Sequence, residues 1–259
     1  AALRRRARDA DLLIATCRYY ADHMATYLEV PRERVKVARI GITLEGHDQG
    51  LADVSGAEAP RRAGDGPFTV GYLARICPEK GLHVLIDAFK VVVERMAGLD
   101  VRLRAAGYLG GRDRAYFEKV KRQVRDAGLE GRFEYVGEVD RQGKIDFLRG
   151  LDLLSVPTVY REPKGLFVLE SLANGVPVVL PAHGAFPELL EATGGGVLVE
   201  PGSIDALAVA IEALLRDPAR RRELGRRGRE AVFRDYSADA TAAETERVYQ
   251  DVVAVRGAA

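Results

Sequence analysis

The sequence has only two cysteines, Cys17 and Cys77, and they lie far apart in a chain of 259 residues. That spacing argues against a disulfide framework and excludes a metal site built from cysteine; it favours reduced thiols in a cytosolic setting. Histidine is scarce as well. His23, His47, His83 and His183 are scattered with no ligand spacing, so no metal is expected. An excess of one charge is also missing: 39 Lys and Arg against 38 Asp and Glu leave a formal net charge of +1. No bulk field then favours nucleic acid or an anionic membrane, and any anion site must be local. No apolar run reaches the roughly 18 residues that cross a bilayer. The arginines near the N-terminus are followed by no signal-like apolar core.

What the chain does have is enough apolar residue, 47%, for a sizeable core. An apolar run at 12–15, an amphipathic stretch to about Leu28 and a second run at 35–40 read as strand, helix, strand. Residues 45–66 are rich in Gly, Ala, Asp and Pro without a period and read as a linker. Beyond it strands and helices alternate: strands at 67–74, 101–106, 132–136, 151–157, 176–180 and 196–200, with helices at 80–96, 113–127, up to 149, about 164–173 and 186–190. Nearly wholly apolar strands separated by helices predict an α/β fold with a doubly wound, Rossmann-like parallel sheet. Ligands of such sheets bind beyond the carboxyl ends of the strands. Function is therefore expected in the loops that follow strands.

Two stretches in those loops carry candidate chemistry. In GYLARICPEKGLHVL, Arg75 and Lys80 sit between a strand and a helix start, and Gly81 allows close backbone approach. Two cations beside helix amides suit a diphosphate, although an Arg and a Lys on a surface loop are also ordinary. In EPKGLFVLESLANGVPVV, Pro163 fits the first position of a helix, which makes Glu162 its cap or the cap's neighbour and puts Glu170 about two turns inside. Eight helical residues separate them by roughly 12 Å along the axis and about 80° around it. A glycosidase pair needs carboxyls about 5 to 10 Å apart around one oxygen, so these acids suit a long ligand held at both ends. A nucleotide sugar, with hydroxyls at either end of two phosphates, has that shape. The plainer reading of each Glu is a helix-start residue favoured by the dipole.

From Pro67 onward the chain resembles the nucleotide-sugar-binding half of retaining glycosyltransferases of the GT-B fold, the large family 4 class also called group 1 glycosyl transferases. Five ordered motifs carry the resemblance: VGYLARICPEKGLHVLIDAF, FEYVGEV, LDLLSVPTVYREPKGLFVLESLANGVPVV, HGAFPELL and GGGVLVEPGSIDALAVAI. It implies that Glu162 lies by the donor sugar, that Glu170 binds ribose hydroxyls, and that Arg75 and Lys80 hold the diphosphate and stabilise the leaving nucleotide. It further implies that amides near Gly165 and Leu166 approach the phosphates. Glu188 matches the acidic position of the HGAFPELL loop, with a duty the sequence does not define, and His183 lies beside the implied sugar site. The donor would be a UDP-, GDP- or ADP-sugar, with no cofactor and no metal.

Two features depart from the family pattern. Lys164 stands where an aromatic residue is usual; it faces either an acidic donor sugar or solvent, and solvent is favoured. Residues 1–44 resemble only the end of an N-terminal acceptor domain, and the start AALRRRARDADLLIATC reads as the middle of a larger protein. The expected organisation is thus a remnant at 1–44, a linker at 45–66, a donor-binding domain at 67–236 and a helix at 237–259 that crosses back to the acceptor domain. The expected activity is hexosyl transfer with retention to an unknown glycan, lipid or small molecule, with little or none by this chain alone. A binding module without transferase activity and a sugar-nucleotide epimerase are the alternatives. The remnant's apolar edges predict docking, disorder or self-association. The expected location is the cytoplasm, with a peripheral place at the inner membrane left open for a longer protein. Asp9 and Asp11 read as a charged helix end, and the arginines of ARRRELGRRGREAVFRDY as a salt-bridged helix that binds no nucleic acid.

Overall fold

The computed structural model describes residues 2–47 and 67–257; most of the linker expected at 45–66 therefore lies outside the described residues. The N-terminal unit contains α1 (Ala2–Asp9), β1 (Leu13–Ala15), α2 (Arg18–Leu28) and β2 (Val35–Val37), with β2 parallel to β1. The second strand stops earlier than the apolar run to Ile40 predicts. Its following backbone is claimed by α10 (Ala238–Gly257) and the turn before it. The amide of Gly41 donates to Thr241 Oγ1 at 2.7 Å, and that of Ile42 to the Tyr236 carbonyl at 2.9 Å.

The second unit is a six-stranded parallel sheet of order β5-β4-β3-β6-β7-β8. Its strands are β3 (Phe68–Leu73), β4 (Val101–Ala106), β5 (Phe133–Gly137), β6 (Leu153–Ser155), β7 (Val178–Pro181) and β8 (Gly196–Val199). All six residues of β3 are buried, as a central strand covered on both faces requires, whereas edge strand β5 alternates between exposed and half-buried. The helices are α3 (Leu82–Arg95), α4 (Arg114–Asp126), α5 (Arg141–Arg149), α6 (Leu166–Ala173), α7 (Phe186–Thr193), α8 (Ile204–Arg216) and α9 (Pro218–Asp235). Helix α3 packs on α4 and α8, while α6 and α7 pack on α9. Strand order reverses between β3 and β6, so the loops after these two strands flank the switch point where open α/β sheets place ligands.

Two helix starts differ from the sequence reading, for one reason. A 3-10 turn, Pro78–Lys80, precedes Gly81 at φ 73°, and α3 begins only at Leu82. Gly165, at φ 70°, precedes α6, which begins at Leu166 instead of at Pro163. A left-handed residue cannot continue a right-handed helix, so each glycine separates a loop from the helix behind it. Glu162 consequently belongs to a loop, and the helical separation of roughly 12 Å does not describe its relation to Glu170.

The N-terminal unit is docked. Thr16 Oγ1 donates to the Pro163 carbonyl at 3.0 Å, and the Arg18 amide donates to Glu188. On α9, Arg226 and Arg227 pair with Glu223, and Arg226 also pairs with Glu230, as the sequence suggested; Arg221 instead turns inward to Asp152 at 3.3 Å.

Candidate functional site

The switch point is built by pressing two loops together. A Cβ on Gly81 would lie 1.9 Å from the Pro157 carbonyl oxygen, so only glycine lets the end of the β3 loop meet the β6 loop this closely. The Val159 amide adds a hydrogen bond to the Glu79 carbonyl at 2.9 Å. The close approach at Gly81 is thus to the chain itself, not to an exposed ligand face. Gly107, at φ 142°, brings the β4 loop equally close to the Ala74 carbonyl.

Lys80 emerges from that contact and meets Glu162. Its Nζ lies 2.5 Å from Glu162 Oε2 and 2.9 Å from the Tyr160 hydroxyl. It also sits over the Tyr160 and Phe167 rings, 5.1 and 5.6 Å from their centroids. The Tyr160 hydroxyl donates to the same Glu162 oxygen. Oε1 accepts weakly from the Lys164 and Gly165 amides, at 3.3 and 3.4 Å. Burial by itself would raise the Glu162 carboxyl, whose side chain is 6% exposed, but donation from Lys80 and Tyr160 outweighs burial and holds it below the usual range. Burial, then the bond to Glu162, pushes the Tyr160 phenol well up, so it stays protonated. The backbone of Glu162 is fixed as well: its carbonyl accepts the Ala185 amide at 2.8 Å, and a Cβ on Gly184 would collide with it.

The other expected residues surround this cluster in different ways. Arg75 lies on the same loop as Lys80 and is exposed, its Nε 3.3 Å from Cys77 Sγ. Glu170 does not join Glu162; its carboxylate meets Lys144 Nζ of α5 at 2.5 Å. Each acid of the pair thus has its own lysine. Gly165 and Leu166 form the N-terminus of α6, with Leu166 at the surface and Lys164 exposed. The His183 ring stacks on Phe186, and its Nε2 lies 3.0 Å from the Thr158 carbonyl, which requires the proton on that nitrogen. With Arg161, Gly184 and Glu188 it lines an open cleft of about 660 Å³. The Glu188 carboxylate is engaged with the amides of Arg18 and Tyr19.

Sequence reasoning missed Tyr160 and Lys144. Tyr160 stands two positions before Glu162, yet its partner Lys80 is 80 residues away in the chain; Lys144 is 26 residues from Glu170. Neither separation carries a helical or strand period that would betray the contact. Among the described residues, no group of three His, Cys, Asp or Glu could hold a metal ion, and no helix is long and apolar enough to cross a membrane.

The six-stranded parallel α/β sheet matches the fold of solved GT-B glycosyltransferases. HepE from Anabaena, solved with UDP and glucose, superposes with a TM-score of 0.81 at 22% identity, covering 98% of this chain and 66% of that one. Sucrose-phosphate synthase from Thermosynechococcus elongatus gives a TM-score of 0.78 at 26% identity, over 95% of this chain and 59% of that one. Residues 57–231 match the family model of the group 1 glycosyl transferases, and the chain belongs to that family. Among its relatives, phosphatidyl-myo-inositol mannosyltransferase of Mycobacterium leprae is 35% identical over 71% of this chain and 46% of its own length. D-inositol 3-phosphate glycosyltransferase of Corynebacterium glutamicum is 26% identical over 95% of this chain and 58% of its own length. The chain thus spans about half the length of these relatives.

Proposed function

We propose that this chain supplies the donor-binding half of a family 4 glycosyltransferase that moves a hexosyl group from a nucleoside diphosphate sugar to an acceptor with retention of configuration. One observation carries the reading: Lys80 stands beside the buried Glu162 where the N-termini of α3 and α6 converge on the switch point. A diphosphate there meets Lys80, Arg75 and the amide of Leu166 at the start of α6, beside Gly165, whose own N–H is turned toward Glu162. Breaking the glycosidic bond puts negative charge on the departing diphosphate, and fixed cations and helix amides stabilise that charge without reorganising. The protein's own cations supply the countercharge, so the transfer is metal-independent. The depressed carboxyl of Glu162 stays ionised beside the sugar and favours its oxocarbenium-like character. Glu170 accepts the ribose hydroxyls, and His183 faces the sugar. The binding of UDP and glucose in HepE supports the donor class.

The test is calorimetric titration of UDP, GDP and ADP into wild type and the Arg75→Ala, Lys80→Ala double variant. At least one nucleotide should bind wild type and lose roughly a hundredfold in affinity in the variant. Equal binding in both proteins removes the phosphate assignment.

A further inference from the structure

We propose that Tyr160 is a positioning residue of this site: its hydroxyl joins Lys80 to Glu162, so that the ammonium can turn a remaining donor toward a diphosphate while the carboxylate stays ordered toward the sugar. The role rests on the donor-site reading above. An ammonium has three N–H donors and a carboxylate only accepts, so the hydrogen-bond directions are set by chemistry. Lys80 gives one donor to Glu162 Oε2 at 2.5 Å and one to the Tyr160 oxygen at 2.9 Å. Tyr160 gives its proton to Glu162. The ion pair therefore need not break when an anion arrives, because Lys80 keeps one donor to offer. Without the phenol, a diphosphate that drew Lys80 away would leave a nearly buried carboxylate with only two long amide contacts. The Tyr160 ring also forms one wall of the ammonium's seat, and the Val159 amide bond to Glu79 fixes the loop that carries it.

The charged and titratable groups around Glu162 come from four segments. Lys80, Arg75 and Cys77 approach from the β3 loop; Tyr160, Arg161 and Lys164 belong to its own loop; His183 lies in the β7 loop; and Cys17 contacts Pro163 from the N-terminal unit. Among the described residues, Lys80 and Tyr160 are the two that donate side-chain hydrogen bonds to the carboxylate. Loss of the phenol hydroxyl removes one of those two, and burial then favours the protonated acid.

Tyr160→Phe keeps the ring and its packing and isolates the hydroxyl. In the ligand-free chain, carbon-13 carboxylate NMR should show the Glu162 titration moved upward by roughly one pH unit, a tenfold change in its acid constant. An unmoved midpoint overturns the proposal. The second arm takes whichever of UDP, GDP and ADP binds wild type, with its glucose conjugate, at about pH 8 and about pH 5.5. Compared with wild type at the same pH, the variant should lose up to about twofold of the preference for the conjugate at the lower pH, where part of its Glu162 is protonated, and match wild type at the higher. A variant that follows wild type at both values overturns the positioning role. If wild type binds no nucleotide, the donor-site reading fails and the ligand role of Tyr160 falls with it, while the NMR arm still judges its hold on Glu162.

Discussion

Glu188 holds the amide of Arg18. Its carboxylate accepts that N–H at 2.8 and 3.1 Å and the amide of Tyr19 at 3.3 Å, so the first turn of α7 caps the first turn of α2. The N-cap residue of α2 is Cys17, whose sulfur accepts the Tyr20 amide at a long 3.4 Å. A carboxylate satisfies the remaining orphan donors better than a thiol and complements the helix dipole. The charge of Glu188 is therefore spent at the joint between the two units. Glu188→Ala should lower stability by about 1 kcal/mol. It should also speed modification of Cys17, now 6% exposed, by a thiol reagent by roughly fivefold, read by mass spectrometry. Cys77, fully buried, serves as the internal control. Equal rates at Cys17 in the two proteins would mean that Glu188 does not secure the joint.

Lys144 and Glu170 define the second lysine–carboxylate pair, 2.5 Å apart between α5 and α6. If Glu170 accepts the ribose hydroxyls as proposed, wild type should prefer a nucleoside diphosphate to its 2′,3′-dideoxy form. Glu170→Ala should erase most of that preference, roughly tenfold, and Lys144→Met a smaller part, since the carboxylate remains but loses its orientation. Calorimetry on the three proteins checks the order. The same preference in all three would put the ribose elsewhere.

Gly81 and Gly98 share a left-handed backbone but not their surroundings. A Cβ at Gly98 meets nothing within 4 Å, while one at Gly81 meets the Pro157 carbonyl at 1.9 Å. Gly98→Ala should cost about 1 kcal/mol of backbone strain, and Gly81→Ala about 3 kcal/mol or more. Denaturant midpoints measure the difference. Gly81→Ala should also weaken nucleotide binding, because relief of the clash displaces Lys80; a loss of stability no larger than that of Gly98→Ala would disprove the tight loop contact.

Acid should destabilise the chain in two steps. Burial, aided by the charges of Arg141, Lys144 and Arg149, lowers His47 below its ordinary 6.5 despite its bond to Asn174, and burial lowers His83 against the pull of Asp87. A histidine depressed on folding takes up its proton first in the unfolded chain, so its stabilising contribution is present above about pH 6.5 and declines as the pH falls below it. Glu162, depressed below 4.5 in the fold, contributes fully above that value and is lost as the pH falls through its folded pKa. Urea midpoints from about pH 8 to pH 4 should show the first decline near pH 6.5, and His47→Gln should reduce it. An unchanged profile in that variant would assign the step to other groups.

Much of this was legible along the chain. The strand 101–106 coincides with β4, and the alternation of apolar strands and helices gave the doubly wound sheet, because burial on both faces demands apolar runs that survive in any sequence reading. Gly81 and Gly165 are visible as letters, but their left-handed conformations are not, and so the sequence places Glu162 at the cap of a helix that in the fold begins only at Leu166. Glu188 was visible as an acid without a duty; its partners are amides, which every residue possesses and no sequence pattern marks.

By itself the sequence determined the sheet, the order of its motifs and the family, since all three are encoded in hydrophobic period and local residue order. Only the tertiary structure decided that Glu162 and Glu170 answer to different lysines, that Tyr160 stands between the first pair, and that Glu188 belongs to a helix cap. Those facts depend on which loops meet at the ends of β3, β6 and β7, and meetings between distant segments arise from packing, where spacing along the chain has no influence.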